Sequence, residues 1–171
     1  WFVSEQVAWF GLTPWETDFY ARFDTHLEGY VTLFNIQMSE KYAFKMIFAA
    51  LSTFTVQLPA PGSGVSDSNK LYIDGMFNAR GWTNVYNTVK GRAMWSNSLE
   101  LRVPAVPGIL AVDGFFDACV IKDSAENMFG NVTWDDVYFS FGPDVRVLMP
   151  QFPMRFMFCN TFKIGNQGVE W

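Results

Sequence analysis

The sequence contains no apolar run approaching the ~18 residues that a membrane-spanning helix needs, which removes the commonest way of crossing a bilayer. Basic clusters are missing too. The 12 Lys and Arg residues are scattered under a net charge of −5, the nearest grouping being Lys90 and Arg92, so there is no stripe to receive phosphates and nucleic acid is excluded as a partner. Two cysteines, Cys119 and Cys159, are too few for a disulfide framework. Each falls in a strand-like run, where a free thiol acts as a small apolar residue. The one histidine, His26, has no His or Cys nearby to complete a metal site, and reads instead as a hydrogen-bonding group among charged neighbours. No Gly-x-Ser-x-Gly, His-Glu-x-x-His or phosphate-cradling glycine loop occurs, so enzyme chemistry has no foothold and no cofactor is implied. Asp113 and Asp117 are carboxylates of the kind used in general acid/base chemistry, but nothing beside them would position a substrate. Asn131-Val132-Thr133 spells a glycosylation sequon, read as chance. No leader segment is recognisable, and the chain opens at Trp1 directly in a strand-like run, as an internal piece of a longer protein would.

What the sequence has in quantity is aromatic surface. Half its residues are apolar, and aromatics (18%) outnumber charged residues (17%). An antiparallel barrel with lipid-facing walls and aromatic girdles fits that balance, and so does an aromatic-rich β-sandwich.

Alternation narrows the choice. Phe2 to Phe10 alternates loosely before Gly11 and Pro14 break it. From Ala21 to Val31 the pattern is clean: Arg22, Asp24, His26 and Glu28 share one face, and Ala21, Phe23, Thr25, Leu27 and Gly29 share the other. A turn is expected over Met38 to Lys41. The run Tyr42 to Val56 then carries Lys45 as its only charge and is longer than the about five or six residues of a globular strand. Ser98, Glu100 and Arg102 oppose Leu99, Leu101 and Val103, with Pro104 and Pro107 expected to end that strand. Asp113, Phe115, Asp117 and Cys119 oppose Val112, Gly114, Phe116, Ala118 and Val120. Ser140, Gly142, Asp144 and Arg146 oppose Phe139, Phe141, Pro143, Val145 and Val147. Pro143 demands a bulge or an edge, since it cannot donate to a ladder. Four segments thus put charge on one side and Phe, Val or Leu on the other. A lumen would collect those charges and a sandwich would turn them to water; long strands favour the barrel, with the sandwich still open.

No stretch has the pattern of an amphipathic helix. The longest non-strand region, 58–91, opens on Pro59-Ala60-Pro61-Gly62-Ser63-Gly64 yet contains Leu71-Tyr72-Ile73-Asp74-Gly75 and Ala79-Arg80-Gly81-Trp82, more apolar surface than a spacer needs. An ordered functional loop is expected there. The polar stretch from Lys122 to Trp134 is expected on the extracellular side.

These residues carry a resemblance. Leu71 to Gly75 followed by Ala79-Arg80-Gly81-Trp82 resembles the sixth extracellular loop of BamA-type outer-membrane assembly proteins, which has an aromatic-x-Gly-Gly pattern and then Val-Arg-Gly-Phe or Val-Arg-Gly-Tyr. Here Ala79 replaces Val, Trp82 supplies the last aromatic, and one of the two glycines is absent. Ser98 to Pro104 is similar to the family's next strand, with its inward Glu, and Phe115-Phe116-Asp117 to the following one, with its inward Asp. Trp1 to Gln6 and Trp15 to Thr25 resemble the strands before the loop, and Phe141 to Pro150 with Pro153 to Lys163 the penultimate hairpin.

The resemblance implies an all-β fold: about seven strands, the ninth to the fifteenth of a sixteen-stranded antiparallel transmembrane barrel, with 58–91 as a long extracellular loop. The final strand would begin near Trp171, and the first half of the barrel and the periplasmic POTRA modules would lie outside this stretch. It further implies that Arg80, beside Gly81 and Trp82, folds into the lumen and pairs with Glu100 and Asp117. Taken alone, Arg80 reads as a solvated loop arginine and the carboxylates as ordinary lumen charges; their shared face tips the reading. The implied work is assembly rather than catalysis: a client outer-membrane protein pairs with an opened edge strand and enters the bilayer. Partners would be the outer-membrane lipids, client barrels, and chaperones and accessory lipoproteins reached through the POTRA modules. A two-partner secretion transporter is the nearest alternative, and a passive porin or adhesin a more distant one.

Overall fold

Period-two alternation decides which side of a strand each residue occupies. The computed structural model, which describes residues 1–12, 18–39, 42–165 and 168–171, shows where those sides face. In chain order the elements are β1 (Phe2–Phe10), β2 (Tyr20–Ser39), β3 (Tyr42–Pro59), β4 (Leu71–Tyr72), β5 (Lys90–Gly91), β6 (Ala93–Val106), β7 (Leu110–Lys122), the helix α1 (Ala125–Gly130), β8 (Val137–Val147), β9 (Met154–Met157), β10 (Asn160–Gly165) and β11 (Gly168–Glu170). One open sheet runs β1-β2-β3-β6-β7-β8-β10-β11, with β9 also on β8, while β4 and β5 form a separate two-stranded ladder. The main pairings are antiparallel. β9 and β10 meet β8 in a single register, Asp144 opposite Met157 and Phe141 opposite Asn160, so they are two halves of one interrupted strand. The sheet therefore has seven long positions and the start of an eighth at β11, as the sequence reading anticipated. Pro14, residues 15–17 of the Trp15–Thr25 segment, and the Glu40-Lys41 part of the expected turn lie outside the described residues.

The wall is inside out relative to a soluble protein. On β7, Asp113 and Asp117 are only 2% and 3% exposed, while Val112 and Phe116, each next to one of them on the opposite face, are exposed. On β6, Glu100 is buried and Leu99 and Leu101 are each 44% exposed. A sandwich arranges these two faces the other way round, because isolated buried charge costs far more than buried Leu contributes. Only a wall with a polar, enclosed side and an apolar, lipid-facing side accommodates the observed order.

Several elements depart from the sequence reading for identifiable reasons. β2 continues through Met38 to Ser39 instead of turning there, because a bulge absorbs a break in phase: Thr32 pairs with Ile47 and Phe34 with Met46, leaving Leu33 unopposed. That slip keeps Phe34 and Ile36 on the apolar face. β6 runs past Pro104 to Val106, with a register shift after the proline. The β3 ladder stops at Arg102, so Pro104 has a neighbouring strand on one side only, where a missing donor is tolerated. Pro143 sits at the interruption between β9 and β10. Phe158 N–H donates to Pro143 O at 3.0 Å, and Pro143 has no N–H to return to Phe158 O. Gly142 fits beside that carbonyl because a Cβ there would stand 1.7 Å from it. Cys159 consequently lies in the break, outside any strand, whereas Cys119 is in β7; both thiols are free.

The region between β7 and β8 has the sequence of a polar loop, yet it holds α1. Ser124 caps that helix by accepting from Asn127 N–H at 3.3 Å, and six residues are too few for apolar periodicity to show in sequence. A capping box follows, with Thr133 N–H donating to Asp136 Oδ2 at 2.9 Å and Lys122 Nζ 2.6 Å from the same carboxylate oxygen. Burial tends to raise the Asp136 carboxyl, but the Lys122 and Thr133 contacts outweigh it and hold it at about 2. Since the folded value lies below the ordinary 3.8, the contribution is complete above pH 4 and is lost as pH falls toward 2. The amide resonance of Thr133 is expected to titrate with a midpoint near 2; a midpoint near 3.8 would count against the box.

Candidate functional site: a loop arginine clamped inside the wall

The site is assembled by the segment between β3 and β6. Leu58 and Pro59, read as loop, belong to β3, and residues 60–92 return over the polar side of the wall. Asp74 organises the turn. Its Oδ1 accepts from the N–H groups of Met76, Phe77 and Asn78 at 2.7, 2.7 and 3.1 Å, while its own N–H donates to Asn78 Oδ1 at 3.0 Å. Gly75 adopts φ +72, and a Cβ there would lie 2.8 Å from the Trp82 carbonyl carbon. Gly81 N–H then closes the turn on Gly75 O at 2.8 Å. Replacing Asp74 with alanine leaves three loop N–H groups without their acceptor. It is expected to loosen the turn by about 1–3 kcal/mol, read as faster hydrogen exchange at Met76 to Asn78.

The turn delivers Arg80 onto two strands. Its Nε donates to Asp117 Oδ2 at 2.6 Å, Nη2 to Asp117 Oδ1 at 2.5 Å and to Ser98 Oγ at 2.6 Å, and Nη1 to Glu100 Oε1 at 2.7 Å. The guanidinium carbon stands 3.9 Å above the Phe115 ring, and the residue is 5% exposed. A planar cation with a fixed fork of donors is what such an arrangement requires, and lysine cannot reproduce it. The three charges named from sequence are thus brought together, on the face that alternation assigned to them.

Gly81 and Trp82 lock the neighbouring contacts. Gly81 has φ +92, and a Cβ at that position would meet Cys159 Cβ at 2.6 Å, so the loop is pressed directly against the break between β9 and β10. Trp82 Nε1 donates to Phe139 O at 2.9 Å and its ring stands edge-on to Tyr138 at 5.1 Å. Leu71, Ile73 and Ala79 pack with Cys119 and Ile121 into a small core between loop and wall.

The charge network extends past what the sequence reading named. Glu100 also receives Arg102 Nη2 at 2.7 Å and Arg155 Nη2 at 3.1 Å. Arg155 further pairs with Asp144, and Arg146 with Asp113. Around the clamp, Arg80, Arg102, Arg146 and Arg155 are therefore interleaved with Glu100, Asp113, Asp117 and Asp144, and Arg22 pairs with Asp24 elsewhere on the same side of the sheet. Arg102, Ser98, Asp144 and Arg146 share their parity with the named residues and were on the charged faces already. Asp74 and Arg155 were missed: Asp74 occupies the place of a family glycine, and Arg155 sits in a four-residue strand too short to display alternation. His26 hydrogen-bonds as expected, Nδ1 to Thr53 Oγ1 at 2.8 Å and Nε2 to Glu28 Oε1 at 2.7 Å. A cavity of about 220 Å³ remains between loop and wall, lined by His26, Thr53, Met76, Phe77, Arg80 and Arg102 among others.

An open antiparallel sheet with charge turned inward, apolar side chains turned outward and a loop arginine clamped on its polar side defines a wall segment of an outer-membrane type β-barrel with an inward-folded loop. Residues 1–170 match the Omp85 superfamily domain, and the chain belongs to that superfamily. It is similar to a protein of Treponema pallidum (strain Nichols) described as a putative outer membrane protein assembly factor, with 30% identity over 189 residues that cover 95% of this chain. The chain spans 22% of that relative's length. No solved structure matches.

Proposed function

We propose that this chain is the loop-bearing part of a bacterial outer-membrane factor that folds and inserts client β-barrel proteins, and that its contribution is mechanical, with no enzymatic step. The observation that carries the reading is the Arg80 clamp, which ties a loop to two wall strands through four side-chain hydrogen bonds to Glu100, Asp117 and Ser98. The superfamily and the similarity to an assembly factor support it. In this reading the loop is extracellular in origin and folds down the lumen, the barrel spans the outer membrane, and the docked loop holds the wall rigid while a seam elsewhere in the barrel opens. A client strand then pairs with the exposed edge, whose unmet N–H and C=O groups template it. Client proteins and the bilayer are the direct partners, and chaperones and accessory lipoproteins would act through POTRA modules elsewhere in a longer protein.

The experiment is reconstitution of the full-length protein in liposomes, with insertion of an unfolded client barrel followed by its resistance to protease. Arg80→Ala is expected to lower the insertion rate while the protein itself stays membrane-embedded. Unchanged insertion by that variant, with the loop shown to be undocked, would remove the clamp from the mechanism. Export of a soluble protein into the liposome, without client insertion, would favour the secretion transporter.

A further inference from the structure

The region between β7 and β8 leaves the wall on an unexpected side. Met128 of α1 is buried against Val56, Ala93, Val120 and Val137. All four belong to the outward-facing rows, the rows that lower down expose Leu99, Leu101, Val112 and Phe116. The small core of the 60–92 loop lies on the opposite side of the same strands, through Cys119 and Ile121. So α1 is folded over the outside of the barrel wall, where a purely extracellular loop would have no reason to be.

Its exposed residues have the chemistry of that position. Phe129 is 76% exposed, yet its ring is 5.6 Å from Phe54, itself outward-facing on β3. Between them opens a crevice of about 200 Å³ lined by Thr25, Leu27, Ser52, Phe54, Trp95 and Phe129. Val132 and Trp134 are exposed as well, Trp134 with its ring stacked 6.4 Å from that of the outward-facing Phe139, and the exposed Glu126 and Asn127 supply the polar groups of α1. At the same height the outer wall carries polar groups that satisfy one another. Trp95 Nε1 donates to Ser52 Oγ at 2.9 Å, and Ser52 Oγ donates to Asn97 Oδ1 at 2.8 Å. Satisfied polar groups with a tryptophan among them mark the depth at which a bilayer passes from hydrocarbon to headgroup. A short segment that exposes Phe129 and Trp134 at that depth presents the aromatic side chains that sit at a membrane interface.

We propose that α1 and the residues following it dip into the leaflet nearest the long loop, with Phe129 and Trp134 among the acyl chains and the Phe54–Phe129 crevice holding the upper part of one lipid chain. The occupant follows from continuity: the crevice opens onto the same apolar wall that faces the bilayer, so lipid reaches it without a new binding event. The segment between β7 and β8 is then a tether that fixes the depth and tilt of this side of the barrel, opposite in effect to the 60–92 loop, which holds the wall from within. The inference rests on the outward face of the wall being in lipid.

The test uses the full-length protein reconstituted in phospholipid vesicles, carrying p-benzoylphenylalanine at one position at a time: Phe129→p-benzoylphenylalanine, Leu99→p-benzoylphenylalanine on the outer wall, and Phe77→p-benzoylphenylalanine on the polar side of the loop. After illumination, phospholipid adducts are counted by mass spectrometry. Adducts are expected at 129 in yield comparable to 99, with only background at 77. Adducts at 99 with background at 129 would overturn the lipid tether and leave the barrel reading standing. Adducts at neither would overturn both. Adducts at 129 to another protein in place of lipid would also overturn it.

Discussion

Arg80→Ala should release the loop between β3 and β6 from the wall, with a loss of docking stability of about 3–5 kcal/mol, the range measured when one partner of a buried ion pair is removed. The size follows from what stays behind. Glu100 and Asp117 are 4% and 3% exposed, and without Arg80 Asp117 loses its charged partner while Glu100 keeps Arg102 and Arg155. Asp117 is therefore the group that destabilises the emptied site, and Arg80→Ala combined with Asp117→Asn should recover part of the loss, whereas adding Glu100→Gln should recover less. Arg80→Lys should behave closer to alanine than to arginine, because an ammonium cannot bridge Asp117, Ser98 and Glu100 in one plane. Protease cleavage within 60–92 in the membrane-embedded protein reads the docking. Equal protection of wild type and Arg80→Ala would sink the clamp.

The second large effect belongs to Gly81, which carries no charge. Alanine there meets two obstacles: a left-handed φ of +92, and a Cβ placed 2.6 Å from Cys159 Cβ. Undocking by about 1–3 kcal/mol is expected from the overlap, with about 1 kcal/mol more from the backbone. The two contributions separate in a double-mutant cycle. Cys159→Gly removes the nearest opposing Cβ, so Gly81→Ala in that background should cost the backbone part and only the smaller contact with Thr161 Cγ2, which a Cβ would meet at 3.0 Å. Additive effects of the two substitutions would mean that the loop tip does not bear on the break between β9 and β10. Together the two predictions divide docking into an electrostatic half on β6 and β7 and a steric half on the last strands.

How much of this was legible in the sequence depends on strand length. β2, β6, β7 and β8 are long enough for alternation to fix their faces, and the clamp could be assembled from Arg80, Glu100 and Asp117 because two of the three lie in such strands. The separation of barrel from sandwich was not legible from alternation, since the same periodicity serves both; the burial of Asp113 and exposure of Val112 decide it. Residues without periodicity escaped. Arg155 sits in a four-residue strand, Asp74 acts through backbone donors that no side-chain pattern announces, and α1 is shorter than two helical turns. Prolines misled in one case and informed in another. Pro104 predicts a strand end but lies where β6 lacks one neighbour, while Pro143 predicts a bulge or an edge and marks the interruption in its neighbour.

The unopposed Leu33 on β2 bears on how this wall can change length over evolutionary time. In an uninterrupted strand, losing one residue turns every later side chain to the wrong face and is ruinous. Here the residues flanking Leu33 pair with Ile47 and Met46, which are adjacent in β3, so a chain lacking Leu33 would form a plain ladder with its faces preserved. The hairpin thus contains a point at which a codon can be lost without inverting the wall, and the length of its strands is free to drift there while Glu100 and Asp117 keep their register on β6 and β7.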